Sequence, residues 1–260
     1  ELVSAFPWEG GLRVLYAMKA NSNFRLLQLL AGLHRAKPAL PPVNVDCVSP
    51  GEVLLALKAG FSCSSIMFTA NNITDDEMAH VASLGVLLNI GSLSRLAKFG
   101  KNYPGSEVAL RFNPDVVAGA NEKVQTGGGK SKFGILLSDL PRVHQIIATW
   151  RLKVVGIHEH TGSGIDRPEA ILLSARNLLG IATRKVFPHL RFVDFGGGFK
   201  IPYKASDRKT PIKSIGAAVC GLLREHTRRE GMGGERVKLL LEPGKWLVGE
   251  SGTLLVTVRK

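Results

Sequence analysis

The sequence predicts an α/β chain folded as a (β/α)8 TIM barrel, and three observations carry that prediction. Short apolar runs alternate with amphipathic segments along the chain, the pattern of strand–helix units around a parallel sheet. About eight such units fit into 260 residues, close to the ~250 typical of a closed barrel. A doubly wound open sheet, the runner-up, needs a glycine-rich dinucleotide turn after the first strand, and none follows Tyr16.

The first strand covers 13–17, where Arg13-Val14-Leu15-Tyr16 is β-branched and aliphatic. Asn21-Ser22-Asn23 then opens a helix at Phe24 that runs to 33. Strand 43–48 leads to helix 51–59, strand 65–69 to helix 75–83, and strand 86–90 to helix 92–98. Strand 107–112 precedes helix 140–150, strand 153–158 precedes helix 169–179, and strand 191–195 precedes helix 212–229. The eighth strand is 237–241, so residues 1–248 make up the barrel. Residues 249–260, with Thr253-Leu254-Leu255-Val256-Thr257-Val258, form another apolar run with no helix after it. They are expected to be the first strand of a C-terminal all-β domain that is otherwise absent. Residues 1–6 read as the tail of a helix, and the opening at Glu1 leads us to expect missing residues upstream.

A hydrophobic content of 45% supports one large core. The net charge of +13 and pI near 9.9 raise the question of nucleic acid. The basic residues Lys98, Lys101, Lys123, Lys130 and Lys132 are scattered among acids rather than aromatics, however, and Arg224, Arg228 and Arg229 share a helix with Glu225 and Glu230. No nucleic-acid partner is expected; attraction of phosphate-bearing ligands is the milder consequence. Cys47, Cys63 and Cys220 form no CxxC pair and leave one over, which suits a reducing, cytoplasmic setting. Asn89, Gly91, Pro243 and Gly249 interrupt the most apolar stretches, so no membrane span is expected, and no signal peptide is recognisable.

In such a barrel, chemistry sits at the carboxyl ends of the strands. Lys19, in Tyr16-Ala17-Met18-Lys19-Ala20-Asn21, follows the first strand. It is either a lysine that reaches solvent or a Schiff-base lysine, whose neutral amine attacks an aldehyde. After the seventh strand, Asp194-Phe195-Gly196-Gly197-Gly198-Phe199 is either a tight turn or a loop that brings backbone N–H groups close to a phosphate. After the eighth comes Glu242-Pro243-Gly244-Lys245, and barrels place phosphate sites in these two loops. The sixth strand ends in His158-Glu159-His160-Thr161-Gly162-Ser163-Gly164, with both histidines on one face. A metal pair is one reading. It needs further ligands, yet His34, His80, His144, His189 and His226 lie in helices or loops and no carboxylate cluster substitutes, so no metal is expected. An imidazole stacked on a flat ring explains the string better. Gly127-Gly128-Gly129-Lys130-Ser131 fails as a P-loop, because Val124 stands where that motif needs glycine. A strand-end lysine, histidine, glycine loop and glutamate together fit pyridoxal 5′-phosphate.

With these strings in place, the chain resembles the fold-type III pyridoxal-phosphate decarboxylases, with their alanine-racemase-like barrel. The matching strings are Tyr16–Asn21, Asp46-Cys47-Val48-Ser49-Pro50-Gly51-Glu52, Arg111-Phe112-Asn113-Pro114, Ser131-Lys132-Phe133-Gly134, His158–Gly164, Asp194–Phe199 and Glu242–Lys245, in the family's order. The resemblance implies that Lys19 carries the cofactor's aldehyde and that His160 stacks on its ring. It implies that Ser163, Gly196, Gly197 and Gly198 hold the phosphate, that Glu242 pairs with the ring nitrogen and that Gly244 is among the cofactor-binding residues. It also sets Asp46 and Arg111 in the cofactor's surroundings and gives Lys132 a structural role. Lys245 stands where the family has an arginine for phosphate or substrate carboxylate, and lysine keeps the charge but loses the fork.

The implied reaction is decarboxylation of a basic amino acid, in a homodimer with a shared active site. The doubled histidine and the Lys-Ala-Asn string resemble the branch that converts meso-diaminopimelate to lysine. Ornithine or arginine decarboxylation, an alanine-racemase-like activity and a non-catalytic pyridoxal-phosphate carrier are the alternatives. Glu242 argues against the racemase, which has a basic residue near the ring nitrogen. The implied C-terminal domain carries a cysteine motif and a tyrosine of the site, so the barrel alone is expected to be nearly inactive.

Overall fold

A computed structural model describes residues 1–120, 125–129, 131–232, 237–253 and 255–257. Eight parallel strands close on themselves: β1 (Leu12–Ala17), β2 (Val43–Cys47), β3 (Ile66–Phe68), β4 (Leu87–Ile90), β5 (Glu107–Asn113), β7 (Lys153–Glu159), β8 (Phe192–Asp194) and β9 (Lys238–Leu241). The ring shuts where Leu12 meets Leu239 and where Asn89 meets Ala109. Closure leaves none of the eight with a bare edge. Strand β6 (Ile135–Leu136) stands outside the ring, paired to the end of β5.

The expected regular (β/α)8 TIM barrel is corrected by this topology. The domain is an eight-stranded, parallel, closed β-barrel with surrounding helices, and strict strand–helix alternation is not kept. Helices α2 (Phe24–Ala36), α3 (Pro50–Ala59), α4 (Asp75–Ser83) and α5 (Leu93–Asn102) each follow a strand. Between β5 and α6 (Leu140–Trp150), however, the chain inserts β6 and a 3-10 turn, Leu137–Asp139. After α7 (Pro168–Leu179) and α8 (Ile212–Arg229), the one helix that follows β9 among the described residues is the four-residue α9 (Lys245–Val248). Counting apolar runs finds the repeats but does not reveal how short the helix after the last strand is. The four-residue α1 (Leu2–Ala5) packs instead on α8, where a Cβ on Gly216 would collide with the Ala5 carbonyl.

Local chemistry explains the helix starts. Asn23 Oδ1 accepts the N–H groups of Arg25 and Leu26, and Ser49 Oγ accepts that of Glu52. Thr74 and Glu77 form a reciprocal capping box. Residues 252, 253 and 255–257, expected to be a strand, belong to none. Leu254 and Val258 of that run lie outside the described residues, as do Lys123, Val124 and Lys130. No helix among the described residues is long and apolar enough to cross a membrane.

Inside the barrel, Leu15, Met67, Ala109, Val155, Phe192 and Leu240 form a separate apolar layer. Phe192 fills its centre, because a Cβ at Gly156 would collide with the Phe192 ring. The β5–β7 register jumps from Val108↔Val154 to Ala109↔Gly156, so Val155 is a bulged extra residue. The jump restores the inward face to Gly156 and therefore to His158. Two residues beyond this layer, at the strands' carboxyl ends, the lining turns polar.

Candidate active site

Seven strands each contribute one buried polar side chain to that upper layer: Asp46, Thr69, Asn89, Arg111, His158, Asp194 and Glu242. (Thr69 and Glu242 stand one residue past their strands.) Asn89 Nδ2 lies 3.2 Å from Thr69 Oγ1 and 2.8 Å from His158 Nδ1. An amide nitrogen donates, so Nδ1 accepts and the ring proton sits on Nε2, 3.3 Å from Glu242 Oε2. That approach is too poorly aligned for a hydrogen bond. His158 Nε2, Asp46 Oδ1, Asn89 Oδ1, Arg111 Nη2, Asp194 Oδ2 and Glu242 Oε1 are all buried without a partner. Buried polar atoms are nearly always bonded, and six orphans on one surface describe a lining built to meet something polar.

Burial governs the charges. The Asp46 and Asp194 carboxyls are pushed well above the usual carboxylate range, by burial first and then by the charge of Glu242. Burial also raises Glu242, while Lys19 and Arg111 pull it back. His158 and His160 are driven well below the normal imidazole range by burial, reinforced by Arg111 and Lys19. Both rings are therefore neutral.

Ligand atoms of His158, Asp194 and Glu242 lie within 4.8 Å of one another. This overturns the expectation that no carboxylate cluster joins the histidines. A cation would find donors there, but Arg111 already interacts with both carboxylates and Lys19 with Glu242.

The rim is set by short loops. Lys19 lies in a 3-10 turn, Met18–Ala20, just past β1, and its side chain is exposed. Tyr16 Oη donates to the Asn21 carbonyl at 2.9 Å and ties down the turn, which explains both ends of the Tyr16–Asn21 string. The glycine loop wedges between two strand ends. Gly196 has φ +61° and Gly198 φ +86°, left-handed backbone that favours glycine. The Gly196 N–H donates to Asp194 Oδ1 at 2.8 Å, and the Gly197 N–H to His160 Nδ1 at 3.2 Å. Gly198 O accepts from both Gly164 and Ile165 at 2.9 Å, which joins this loop to the histidine loop. The Ser163 side chain, on that loop, has no protein partner among the described residues. A Cβ at Gly244 would sit 3.0 Å from Ala20 Cβ, so this glycine lets the β9 loop close against the Lys19 turn.

The predicted residues thus fall into groups. Asp46, Arg111 and Glu242 lie in the polar layer; His160, Ser163, Gly196, Gly197, Gly198 and Gly244 form the rim with Lys19. Lys245 begins α9 with Nζ 5.9 Å from the Tyr203 ring centroid. Exposed Lys132 has Nζ 5.4 Å from the Phe133 ring, and the Arg111 guanidinium lies 5.0 Å from the same ring. Phe133 thereby steadies Arg111. Thr69, Asn89, His158 and Asp194 were not among the predicted site residues. Their signal was a polar residue two positions after an inward apolar one.

Two tests arise here. A Cβ at Gly197 would collide with the Glu242 carbonyl, so Gly197→Ala is expected to cost about 1–3 kcal/mol. Urea unfolding measures it, and an unchanged midpoint would show that the loop yields. Glu159 is buried, bonded by the hydroxyls of Thr161 and Ser174, and raised to about 7. A raised carboxyl stabilises the fold fully below its unfolded pKa of 4.5, and that contribution drains away as pH climbs to about 7. The loss is about 3 kcal/mol. Glu159→Gln should flatten this slope of stability against pH; an unaltered slope would assign it to other groups.

Comparison with known proteins adds to this geometry. Residues 2–249 match the family described as "Pyridoxal-dependent decarboxylase, pyridoxal binding domain". Diaminopimelate decarboxylase of Methanothermobacter thermautotrophicus is 36% identical over 262 residues, covering 99% of this chain and 59% of the relative. That of Escherichia coli K12 is 34% identical over 253 residues, covering 95% and 56%. The crystal structure of diaminopimelate decarboxylase from Helicobacter pylori complexed with L-lysine superposes with TM-score 0.82 at 26% identity, covering 96% of this chain and 61% of that one. The chain therefore spans less than two thirds of the relatives it matches.

Proposed function

The chain belongs to the pyridoxal-dependent decarboxylases, matching their pyridoxal-binding domain over nearly its whole length, and on that footing we propose that it binds pyridoxal 5′-phosphate for decarboxylation of a basic amino acid. We take meso-diaminopimelate as the substrate, because the relatives above carry that name.

One observation carries the reading: six orphaned polar atoms gathered beneath a rim of lysine, neutral histidine and glycines. The residues fit the cofactor. Lys19 has an accessible amine for its aldehyde, and neutral His160 offers a flat ring. The Ser163 hydroxyl, without a partner among the described residues, lies on the loop joined to Gly198 and is the group we assign to the phosphate, with the Gly196, Gly197, Gly198 and Gly244 backbone beside it. Glu242 Oε1 lacks a partner and suits a protonated ring nitrogen. When bound, the cofactor supplies an electron-withdrawing ring that accepts the charge left by departing CO2.

The chain's own residues prepare that site. Asn89 fixes the His158 tautomer and so leaves the Nε2–H on the Glu242 side of the ring, while Lys19 and Arg111 favour the ionised Glu242 carboxylate. Arg111 adds positive charge to the same end. Burial raises the Asp46 and Asp194 carboxyls and so disfavours further negative charge around Glu242. We further place the active form as a cytoplasmic homodimer with a shared site.

The test takes the protein together with the C-terminal domain expected above, mixes it with the cofactor and measures 14CO2 release from meso-diaminopimelate, ornithine and arginine in turn. Release at least about tenfold faster from diaminopimelate is expected. A protein that holds the cofactor covalently yet releases CO2 from none of the three would sink the catalytic reading.

A further inference from the structure

A cavity lies at the amino-terminal mouth of the barrel, away from the polar layer, with a volume near 980 Å3. Its apolar end is formed by Leu15, Met67, Leu87, Phe192 and Leu240. This is the same layer that roofs the barrel's middle, so the cavity is sealed from the candidate active site. Its rim is cationic. Arg13 stands two residues before Leu15, and Lys238 two before Leu240, so strand periodicity turns both inward. Arg191 joins them and pairs with Glu107, the one acid in the lining. Neither Arg13 nor Lys238 has a carboxylate partner among the described residues. The Lys238 ammonium is held below its ordinary value by the charge of Arg13 first, then by burial, then by Arg191. Glu107 thus answers Arg191, while Arg13 and Lys238 face each other as like charges.

Charge and shape together narrow the occupant. Arg13 and Lys238, with Arg184 and Arg191 beside them, suit a multiply charged anion, and guanidinium suits phosphate in particular. The volume is that of a pocket for a small organic molecule and far exceeds an inorganic ion. Apolar walls need an apolar body against them. We propose that this mouth is a second binding site, for a small organic phosphate whose anionic group lies between Arg13, Lys238 and Arg191 and whose apolar body rests on Phe192 and Leu240. The site is independent of the cofactor reading, being at the other end of the barrel.

The probe is 1-naphthyl phosphate, followed by its fluorescence, on protein loaded with pyridoxal 5′-phosphate and freed of excess by gel filtration. Saturable binding is expected, tighter than that of inorganic phosphate by competition. Arg13→Gln with Lys238→Gln should weaken it at least about tenfold, whereas the charge-matched pair Lys58→Gln with Lys101→Gln should leave it unchanged. Equal loss in both pairs would reduce the effect to net charge and overturn the site. Binding untouched by the Arg13 and Lys238 changes would put the probe elsewhere, the cofactor end included, and also overturn it. Inorganic phosphate binding as tightly would refute the organic class. A measurement on unaltered protein needs no variant to fold: the probe should shield Lys238, but not Lys58, from acetic anhydride in a peptide-mass readout. No shielding would contradict the proposal.

Discussion

Lys19→Ala is expected to lower decarboxylation by at least about four orders of magnitude and to abolish the visible absorbance that the protein gains with pyridoxal 5′-phosphate. The physical argument rests on position. Lys19 is exposed on a turn tied by Tyr16 and Asn21, and its charge reaches Asp46, Glu242, His158 and His160. No other lysine among the described residues acts on all four. Borohydride followed by peptide mass should place the cofactor on residue 19 of the unaltered protein. The variant should fold normally, because an exposed side chain on a tied turn contributes little packing. Retained absorbance in Lys19→Ala, with the label found on another lysine, would remove Lys19 from its assigned role.

Glu242→Gln should reduce turnover by about two to three orders of magnitude, the scale of losing one oriented charge beside developing charge in a water-poor site. The substitution preserves shape, so its effect isolates the carboxylate. Glu242 also raises its neighbours, and in the variant the Asp46 and Asp194 carboxyls should move back toward their ordinary range. Carboxyl 13C chemical shifts followed through a pH titration would report that return independently of activity. Unchanged turnover together with unmoved aspartates would make Glu242 a structural acid.

Much of this arrangement was readable from residues alone, for identifiable reasons. A buried parallel strand is apolar on both faces, so each of the eight ring strands appears as a short greasy run. Helices α4, α6 and α8 begin and end where their amphipathic patterns do. The two-residue β6 and four-residue α9 are too short to show any period, and they are what breaks the regular alternation. The polar layer was partly hidden for a different reason. Asn89 in Leu87-Leu88-Asn89-Ile90 looks like an interruption of an apolar stretch, because nothing local says which face is inward. His158 was weighed beside His160 as a metal ligand, whereas its partners, Asn89 and Glu242, come from distant strands. Asp46, Arg111 and Glu242 were found through their strings, and only the register explains why they meet.

The joint between Leu12 and Leu239 has a consequence for how the chain reaches its native state. Of the eight ring strands, β1 is made first, and it finds one of its two neighbours, β9, only after the other six have been synthesised. Until then the nascent sheet is an open arc with two sticky margins, β1 and the newest strand. Contacts so distant along the chain slow folding and lengthen the interval in which those margins can capture another copy. Refolding from denaturant should therefore lose yield steeply with protein concentration, while the closed ring, once made, has no strand margin left to offer.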